Sequence, residues 1–272
     1  MKTIIIEPGR VQKEYFKDLF RYRELFYFFS WRDILVRYKQ AFFGVAWAVI
    51  RPLLNMAIFT LVFRKVAGLP SDEVSYPLFV LAGLLPWQLF SFSMGDTALS
   101  LINHAALVRK VYFPRMLIPS SMIMVHVLDF AISIGLMLLL GLVMGQIHGW
   151  TFCFFPFFIL LSLLLCLSCG LLLSALTAQY RDVRFLIPFL IQCGMFVSPV
   201  GYGTFVVPEK WQLLYALNPM AGIIDGIRWS LFGVTYPNLP YSIFLSIAMT
   251  ATLTLTSFYY FRKMERTFAD KL

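Results

Sequence analysis

Six long apolar segments constrain this 272-residue chain more than any other feature of its sequence. A helix that crosses the hydrocarbon core of a bilayer needs about 20 mostly apolar residues. Only 14% of the residues are charged, whereas a soluble domain carries about 25%. The sequence therefore predicts an all-α integral membrane protein with spans at residues 43–66, 77–99, 120–144, 151–176, 185–207 and 241–261.

Lysine and arginine residues are distributed unevenly around these spans. Most of the 23 precede the first span, separate the second from the third or the fourth from the fifth, or follow the sixth. The opposite side has only Arg64, Lys65, Lys210 and Arg228. Because cytoplasmic loops carry the excess of basic residues, both termini are predicted to be cytoplasmic. The net charge of +9 suits anionic lipid headgroups, and no nucleic-acid partner is expected.

Two further segments are predicted to lie along the membrane. Residues 22–40 mix aromatic and basic side chains, as amphipathic interface helices do, so residues 1–41 form a cytoplasmic tail and interface helix. Residues 208–240 on the outer side are too long for a plain loop, and Asn218-Pro219 divides them. They predict two short amphipathic, re-entrant helices. Residues 1–272 thus form a single transmembrane domain.

The ionisable side chains inside predicted spans include Arg51, His126 and Asp129. Charge is costly there and faces a cavity, a partner or an interface. Arg51 precedes Pro52 in the first span, and it either reaches the inner headgroups or lines a transport path. His126 and Asp129 share a face of the third span. We interpret them as a structural polar contact, with a proton relay as the alternative.

The sequence lacks the motifs of an enzyme that hydrolyses nucleotides. It contains no G-x-x-x-x-G-K-[ST] loop and no H-E-x-x-H zinc motif. The cysteines, at positions 153, 166, 169 and 193, lie in apolar segments and are interpreted as packing residues. We expect no enzyme activity, no metal and no cofactor on this chain, so that uphill transport would draw its energy from a partner.

The cytoplasmic segment between the second and third spans combines basic and apolar side chains. Residues 99–108, "LSLINHAALV", predict a short helix, and "RKVYFPR" follows. An inert loop accounts for the cations, whereas docking of a soluble protein accounts for the apolar and aromatic residues as well. Both alternatives stay open from the residues alone. The docking candidates are Leu101, Asn103, His104, Leu107, Val108, Arg109, Lys110 and Tyr112.

Three stretches resemble the membrane subunits of polysaccharide-exporting ABC transporters, most closely the O-antigen exporters, with capsule and teichoic-acid exporters as relatives. They are "WRDILVRYKQAFFGVAWAVIRPLL" at 31–54, "LVRKVYFPRMLIP" at 107–119 and "LNPM" at 217–220. The resemblance implies a permease in the bacterial inner membrane. Two copies would pair above two ATPase subunits that bind ATP and Mg, and residues 99–112 would include the coupling helix.

The resemblance also implies a channel for a lipid-linked polysaccharide, lined by the first and fifth spans of both copies. Aromatic rings suit the apolar faces of sugars. The channel candidates are Trp47, Phe59, Phe63, Phe189, Phe196 and Tyr202, and the exit candidates are Trp211, Tyr215 and Trp229. Candidates for receiving the diphosphate of a lipid carrier are Arg32, Arg37, Lys39 and Arg51. Two alternatives of other classes are a membrane-integral transferase acting on lipid-linked sugars and an ion-coupled carrier.

Overall fold

The computed structural model describes residues 15–39, 44–66, 68, 74–147, 149–236, 238–265 and 267–268. Most of the predicted tail, residues 1–14, and the start of the predicted first span, residues 40–43, lie outside them. The regular elements of the described residues are helices. They are α1 (Tyr15–Arg21), α2 (Arg23–Lys39), α3 (Ala46–Phe59), α4 (Tyr76–Asn103), α5 (Ala105–Lys110), α6 (Leu117–Val143), α7 (Phe155–Gln179), α8 (Val183–Val197), α9 (Glu209–Tyr215), α10 (Pro219–Phe232) and α11 (Leu239–Glu265).

Helix α4 is the centre of the bundle. It packs against α3, α6, α7, α8 and α10. In its most apolar 18-residue stretch, 78% of the residues are buried inside the protein. Its sequence is apolar around the whole circumference, as a helix enclosed by others requires. The buried hydroxyls of Thr97 and Ser100 are satisfied within the helix, since they donate to the carbonyl oxygens of Ser93 and Thr97.

Five helical stretches among the described residues are long and apolar enough to cross a membrane. They are Ala46–Arg64, Tyr76–Asn103, Leu117–Val143, Trp150–Gln179 and Leu239–Glu265. The first continues α3 through a π-helical turn at Thr60–Val66, and the fourth begins with a 3₁₀ turn at Trp150–Phe154. These positions agree with five of the predicted segments, although individual ends differ by several residues.

The predicted fifth span, residues 185–207, is not a continuous helix. Helix α8 ends at Val197 after 15 residues, and an irregular segment at 198–203 and a 3₁₀ turn at Thr204–Val206 follow. Fifteen residues of α-helix extend about 22 Å, which is less than the ~30 Å hydrocarbon core. The count of six crossings therefore stays a prediction.

The outer segment differs from the predicted pair of amphipathic helices. Helix α9 is short and mostly exposed, whereas α10 is buried on nearly all sides between α4, α7 and α11. Helix α10 begins where Asn218 accepts a hydrogen bond from the N–H of Met220, with Pro219 in the first turn. A Cβ on Gly222 would lie 2.5 Å from the carbonyl oxygen of Ser242, so only glycine permits this close contact with α11.

Arg228 joins α10 to the irregular segment 198–203. Its side chain is fully buried and donates to the carbonyl oxygens of Val200 at 3.0 Å, Tyr202 at 3.1 Å and Phe79 at 3.3 Å. The guanidinium lies 3.6 Å from the centre of the Phe79 ring and 3.7 Å from Asp225. The contacts to Val200 and Tyr202 satisfy carbonyl oxygens that lie outside any helix, as irregular backbone in a predicted span requires.

Replacing Arg228 tests this role. Arg228→Met keeps much of the volume but leaves Asp225 without its counter-ion and the carbonyl oxygens of Val200 and Tyr202 without their donor, so we expect a loss of about 3–5 kcal/mol in unfolding free energy. Thermal unfolding of the purified protein in detergent measures the loss. Arg184→Met is the matched control, because Arg184 is exposed at the start of α8. Equal thermal stability of the two variants would contradict the assignment.

Candidate functional site

A cavity of about 190 Å³ lies between the end of α2, the first half of α3, and the facing sides of α4 and α6. Its lining combines ionisable, polar and aromatic side chains in an otherwise apolar part of the molecule. They are Arg37, Tyr38, Trp47, Arg51, Gln88, Phe92, His126, Asp129, Phe130 and Ser133, with Gly44, Ala48, Pro52, Leu85 and Leu89 between them. Two predicted phosphate candidates, Arg37 and Arg51, and one channel candidate, Trp47, thus meet here.

Charged groups on one side of the cavity are paired across helices. Arg37 on α2 forms a salt bridge of 2.7 Å with Asp129 on α6, and the Tyr38 hydroxyl donates to the same carboxylate. Burial and this hydrogen bond raise the pKa of Tyr38 above its ordinary value, so the hydroxyl stays a donor at physiological pH. The network fastens the end of the interface helix to α6.

His126 shares Arg37 with Asp129 and also contacts α4. Its Nε2 lies 2.8 Å from Asp96 on α4, and its Nδ1 lies 3.4 Å from Nη1 of Arg37. Arginine only donates and a carboxylate only accepts, so both contacts are satisfied when the ring carries its proton on Nε2. The partners of His126 and Asp129 lie on other helices, and the two side chains do not pair with each other. Their interpretation as a structural contact, with a proton relay as the alternative, stays a prediction.

Pro52 interrupts the hydrogen bonding of α3 beside the cavity. It has no N–H, so the carbonyl of Ala48, four residues earlier, loses its helical donor. The hydroxyl of Ser133 on α6 donates to that carbonyl at 2.8 Å. A side chain of a neighbouring helix thus satisfies the freed group and fixes α3 against α6.

Arg51 stands on the other side of the cavity. Its guanidinium lies 4.9 Å from the centre of the Phe92 ring, and the side chain is exposed. No carboxylate within the described ranges forms a salt bridge with it. Gln88, which the sequence analysis missed, lines the same cavity, and its buried Nε2 has no hydrogen-bond partner among the residues that the structure describes.

The other two phosphate candidates lie elsewhere on α2. Arg32 contacts Asp33 at 2.7 Å and donates to Nε2 of His104 at 2.8 Å, so its guanidinium is engaged between the interface helix and the end of α4. Lys39 is exposed and borders a shallow surface formed by α2 alone, together with exposed aromatic residues such as Phe28 and Trp31. The structure therefore does not bring all four cations together.

The predicted docking segment divides into two parts. Residues 99–103 continue α4, and α5 begins only after a break at His104, so the single helix predicted for residues 99–108 is wrong. Leu101 and Val108 are buried against α2 and the end of α11, while His104 and Leu107 are partly buried. The side chains left at the surface are Asn103, Arg109, Lys110 and Tyr112.

This segment is held by hydrogen bonds at both of its ends. At its start, His104 accepts from Arg32 of α2 and contacts the Ser100 carbonyl at 2.9 Å. At its end, the carboxylate of Glu265 accepts from the backbone N–H of Arg115 at 2.8 Å and from the Tyr15 hydroxyl at 3.2 Å. Burial raises the pKa of Tyr15, so it too remains a donor. The segment is therefore joined to α2 and to the end of α11.

The channel candidates fall into two groups. Phe59 and Phe63 pack together with ring centres 5.4 Å apart and cover Gly201, where a Cβ would lie 2.9 Å from each ring. Phe189 and Phe196 are 61% and 64% exposed on α8, of which only Ile187 is buried. Tyr202 donates to the carbonyl oxygen of Phe196 at 2.8 Å.

The exit candidates also differ in their surroundings. Trp211 is exposed on α9, and the Tyr215 hydroxyl donates to that of Tyr202 at 3.1 Å. Trp229 packs into an aromatic cluster with Trp150, Phe154 and Phe158 at the start of α7.

Sequence reasoning missed Arg228, Glu265 and Gln88. Asp225 and Arg228 at i and i+3 inside an apolar stretch would have indicated the buried ion pair. Glu265 carried no such signal, since its partners are 150 and 250 positions away.

Cysteine labelling tests the surface assigned to the docking segment. With the four native cysteines replaced by alanine, Tyr112→Cys should react with a membrane-impermeant maleimide, because Tyr112 is 50% exposed, whereas Val108→Cys, at a position 2% exposed, should not. Mass spectrometry counts the adducts. In inverted membrane vesicles the label reaches Tyr112→Cys only if this segment is cytoplasmic. Labelling confined to right-side-out vesicles would contradict the orientation, and equal labelling of Val108→Cys would contradict the packing.

Residues 24–232, well over half of the chain, match the family model described as "ABC-2 type transporter". An O-antigen export system permease protein RfbA of Myxococcus xanthus is 28% identical over 214 residues, 78% of this chain and 82% of the relative. One of Klebsiella pneumoniae is 28% identical over 242 residues, 89% and 92% of the two chains. The polysialic acid transport protein KpsM of Escherichia coli is 23% identical over 198 residues, 71% and 76%. The chain therefore belongs to the ABC-2 type transporter family.

Proposed function

We propose that this chain is the permease subunit of an ABC transporter that exports a lipid-linked polysaccharide, of the O-antigen type, across the bacterial inner membrane. The observation that carries the proposal is the match to O-antigen export permeases over most of both chains. The apolar helices fit such a role. The substrate is thus an amphiphile, whose lipid stays in the bilayer while its glycan crosses it.

Energy for export comes from a separate ATPase subunit that binds ATP and Mg. The sequence has no nucleotide-binding loop of its own. The exposed part of the docking segment supports this arrangement, because Arg109, Lys110 and Tyr112 offer two charges and an aromatic ring on a base joined to α2 and α11. Two ATPase subunits bind beneath two copies of this chain.

Pairing of two copies gives the channel its second wall. Helices α3 and α8 carry four of the six channel candidates, namely Trp47, Phe59, Phe189 and Phe196. They are also the least covered long apolar elements of the described chain, because only 11% of the most apolar part of Ala46–Arg64 is buried and α8 buries Ile187 alone. A second copy placed against them would enclose Trp47, Phe189 and Phe196, which are exposed here. Aromatic rings guide a glycan through contacts with its apolar sugar faces.

A capsule exporter is the second candidate, and the similarity to KpsM favours it. A teichoic-acid exporter has the same architecture by resemblance. A transferase acting on lipid-linked sugars has less support, because its candidate polar groups are engaged separately: His104 with Arg32, and Asp96 with His126.

Co-purification tests the proposal. The tagged chain, expressed together with an ABC-transporter ATPase subunit of the same organism, should retain that subunit in detergent. Arg109→Glu and Lys110→Glu together should reduce the retained ATPase by about tenfold. Like charges brought together at a docking surface cost on the order of a kcal/mol or more of binding free energy. Quantitative immunoblotting of the eluate measures the ratio of the two chains.

Lys210→Glu is the control, since Lys210 is an equally exposed lysine on the predicted outer side. Its complex should match the wild type. Failure of the wild-type chain to retain any ATPase, or transport by the isolated chain under an ion gradient, would refute the proposed function.

A further inference from the structure

The two arginines of the cavity between α2, α3, α4 and α6 differ in their electrostatic state. Arg37 is 2.7 Å from Asp129 and also contacts His126, so its charge and its donors are engaged. Arg51 has the Phe92 ring beneath it and no salt bridge with any carboxylate in the described part of the chain. Arg51 is thus the cation of this cavity that can accept an anion without first losing a carboxylate.

The surroundings of Arg51 favour the binding of an anion. Leu85, Leu89, Phe92 and Phe130 supply apolar walls, and charge-assisted hydrogen bonds are stronger where water is partly excluded. Gln88 adds a carboxamide whose buried Nε2 has no hydrogen-bond partner among the described residues. Rotating this amide exchanges its two ends, so Gln88 can present a donor to a ligand beside Arg51.

The size of the cavity limits the ligand to a small group. At about 190 Å³ it is smaller than the ~300–1,000 Å³ pockets that enclose drug-sized molecules. A phosphoryl headgroup is small, anionic and rich in acceptors, and the planar guanidinium binds it through two parallel hydrogen bonds. A sugar chain would need more space than this cavity offers.

We propose that this cavity binds a phosphoryl group of a membrane lipid, with Arg51 as its direct ligand, Gln88 as a second donor, and the Arg37–Asp129 pair as the fixed wall. The proposal rests on the proposed function, in which a lipid-linked glycan reaches the permease from the cytoplasmic leaflet. The phosphoryl group belongs either to the diphosphate of the carrier lipid or to the headgroup of a bilayer phospholipid. Arg51 and Trp47, both exposed on α3, stand at the edge where such a lipid would enter.

Lipid binding to the complex of this chain with its ATPase tests the site. The complex in dodecyl maltoside is titrated with a polyisoprenyl diphosphate or with the same polyisoprenol lacking phosphate, and bound lipid is counted by native mass spectrometry. We expect Arg51→Gln to weaken diphosphate binding at least about tenfold, because a hydrogen bond to a charged group is lost. Arg51→Lys should give an intermediate affinity, since it keeps the charge and loses the planar fork.

Arg184→Gln is the matched control. Arg184 is also exposed and its guanidinium also lies over a ring, 4.6 Å from the centre of Phe185, but it does not line the cavity. This variant should bind the diphosphate as the wild type does, and polyisoprenol binding should be the same in all variants. Wild-type diphosphate affinity in Arg51→Gln, or an equal loss of polyisoprenol, would overturn the proposal. If Arg51→Gln does not assemble, wild-type affinity in Arg51→Lys overturns it as well.

Competition with phosphatidylglycerol identifies the source of the phosphoryl group. Displacement of the diphosphate at equal concentration supports the site and assigns it to bilayer headgroups. Resistance to displacement supports the site and assigns it to the carrier lipid. The same spectra report whether the ATPase is retained, so loss of the ATPase subunit tests the proposed function, whereas loss of diphosphate binding by an intact complex tests Arg51.

Discussion

Backbone N–H and C=O groups inside a membrane must find their partners within the protein, and the rest of this structure depends on that requirement. Long helices such as α4 and α7 satisfy it internally. Where helical bonding is interrupted, neighbouring helices supply the partner: Ser133 donates to the carbonyl freed by Pro52, and Arg228 donates to Val200 and Tyr202 beyond the end of α8. These side chains also hold the helices together. The same contacts thus satisfy unpaired carbonyl oxygens and stabilise the tertiary packing.

Charged groups follow a related rule, because an unpaired ion in an apolar setting is expensive. Arg37 and Arg228 are therefore matched by Asp129 and Asp225. The exposed position of Arg51 lets it do without a carboxylate, at the edge of a cavity that the paired groups keep in shape. Arg37, which holds two helices together, and Arg51, which can bind a ligand, thus line the same cavity. Only their contacts distinguish the two roles.

The docking segment illustrates how far the sequence leads. The stretch "RKVYFPR" marks a basic, aromatic surface, and Arg109, Lys110 and Tyr112 do lie at the surface. Its connections were not predictable, because Arg32 reaches His104 across 72 positions and Glu265 reaches Arg115 across 150. No local pattern records a contact of that separation. The joining of this segment to α2 and α11 is consequently a property of the tertiary structure.

The sequence by itself determined that the chain is helical and membrane-embedded, since runs of about 20 apolar residues have few other stable states. Asn218 and Pro219 likewise located the start of α10 through capping. Only the tertiary structure decided that α10 is buried and that α8 ends at Val197. It also decided that Arg37 is paired with Asp129, whereas Arg51 forms no salt bridge with the residues that the structure describes. The physical reason is that lipid tails and a protein interior are equally apolar. Hydropathy therefore places a residue in the membrane but does not distinguish whether it contacts lipid, another helix or a cavity.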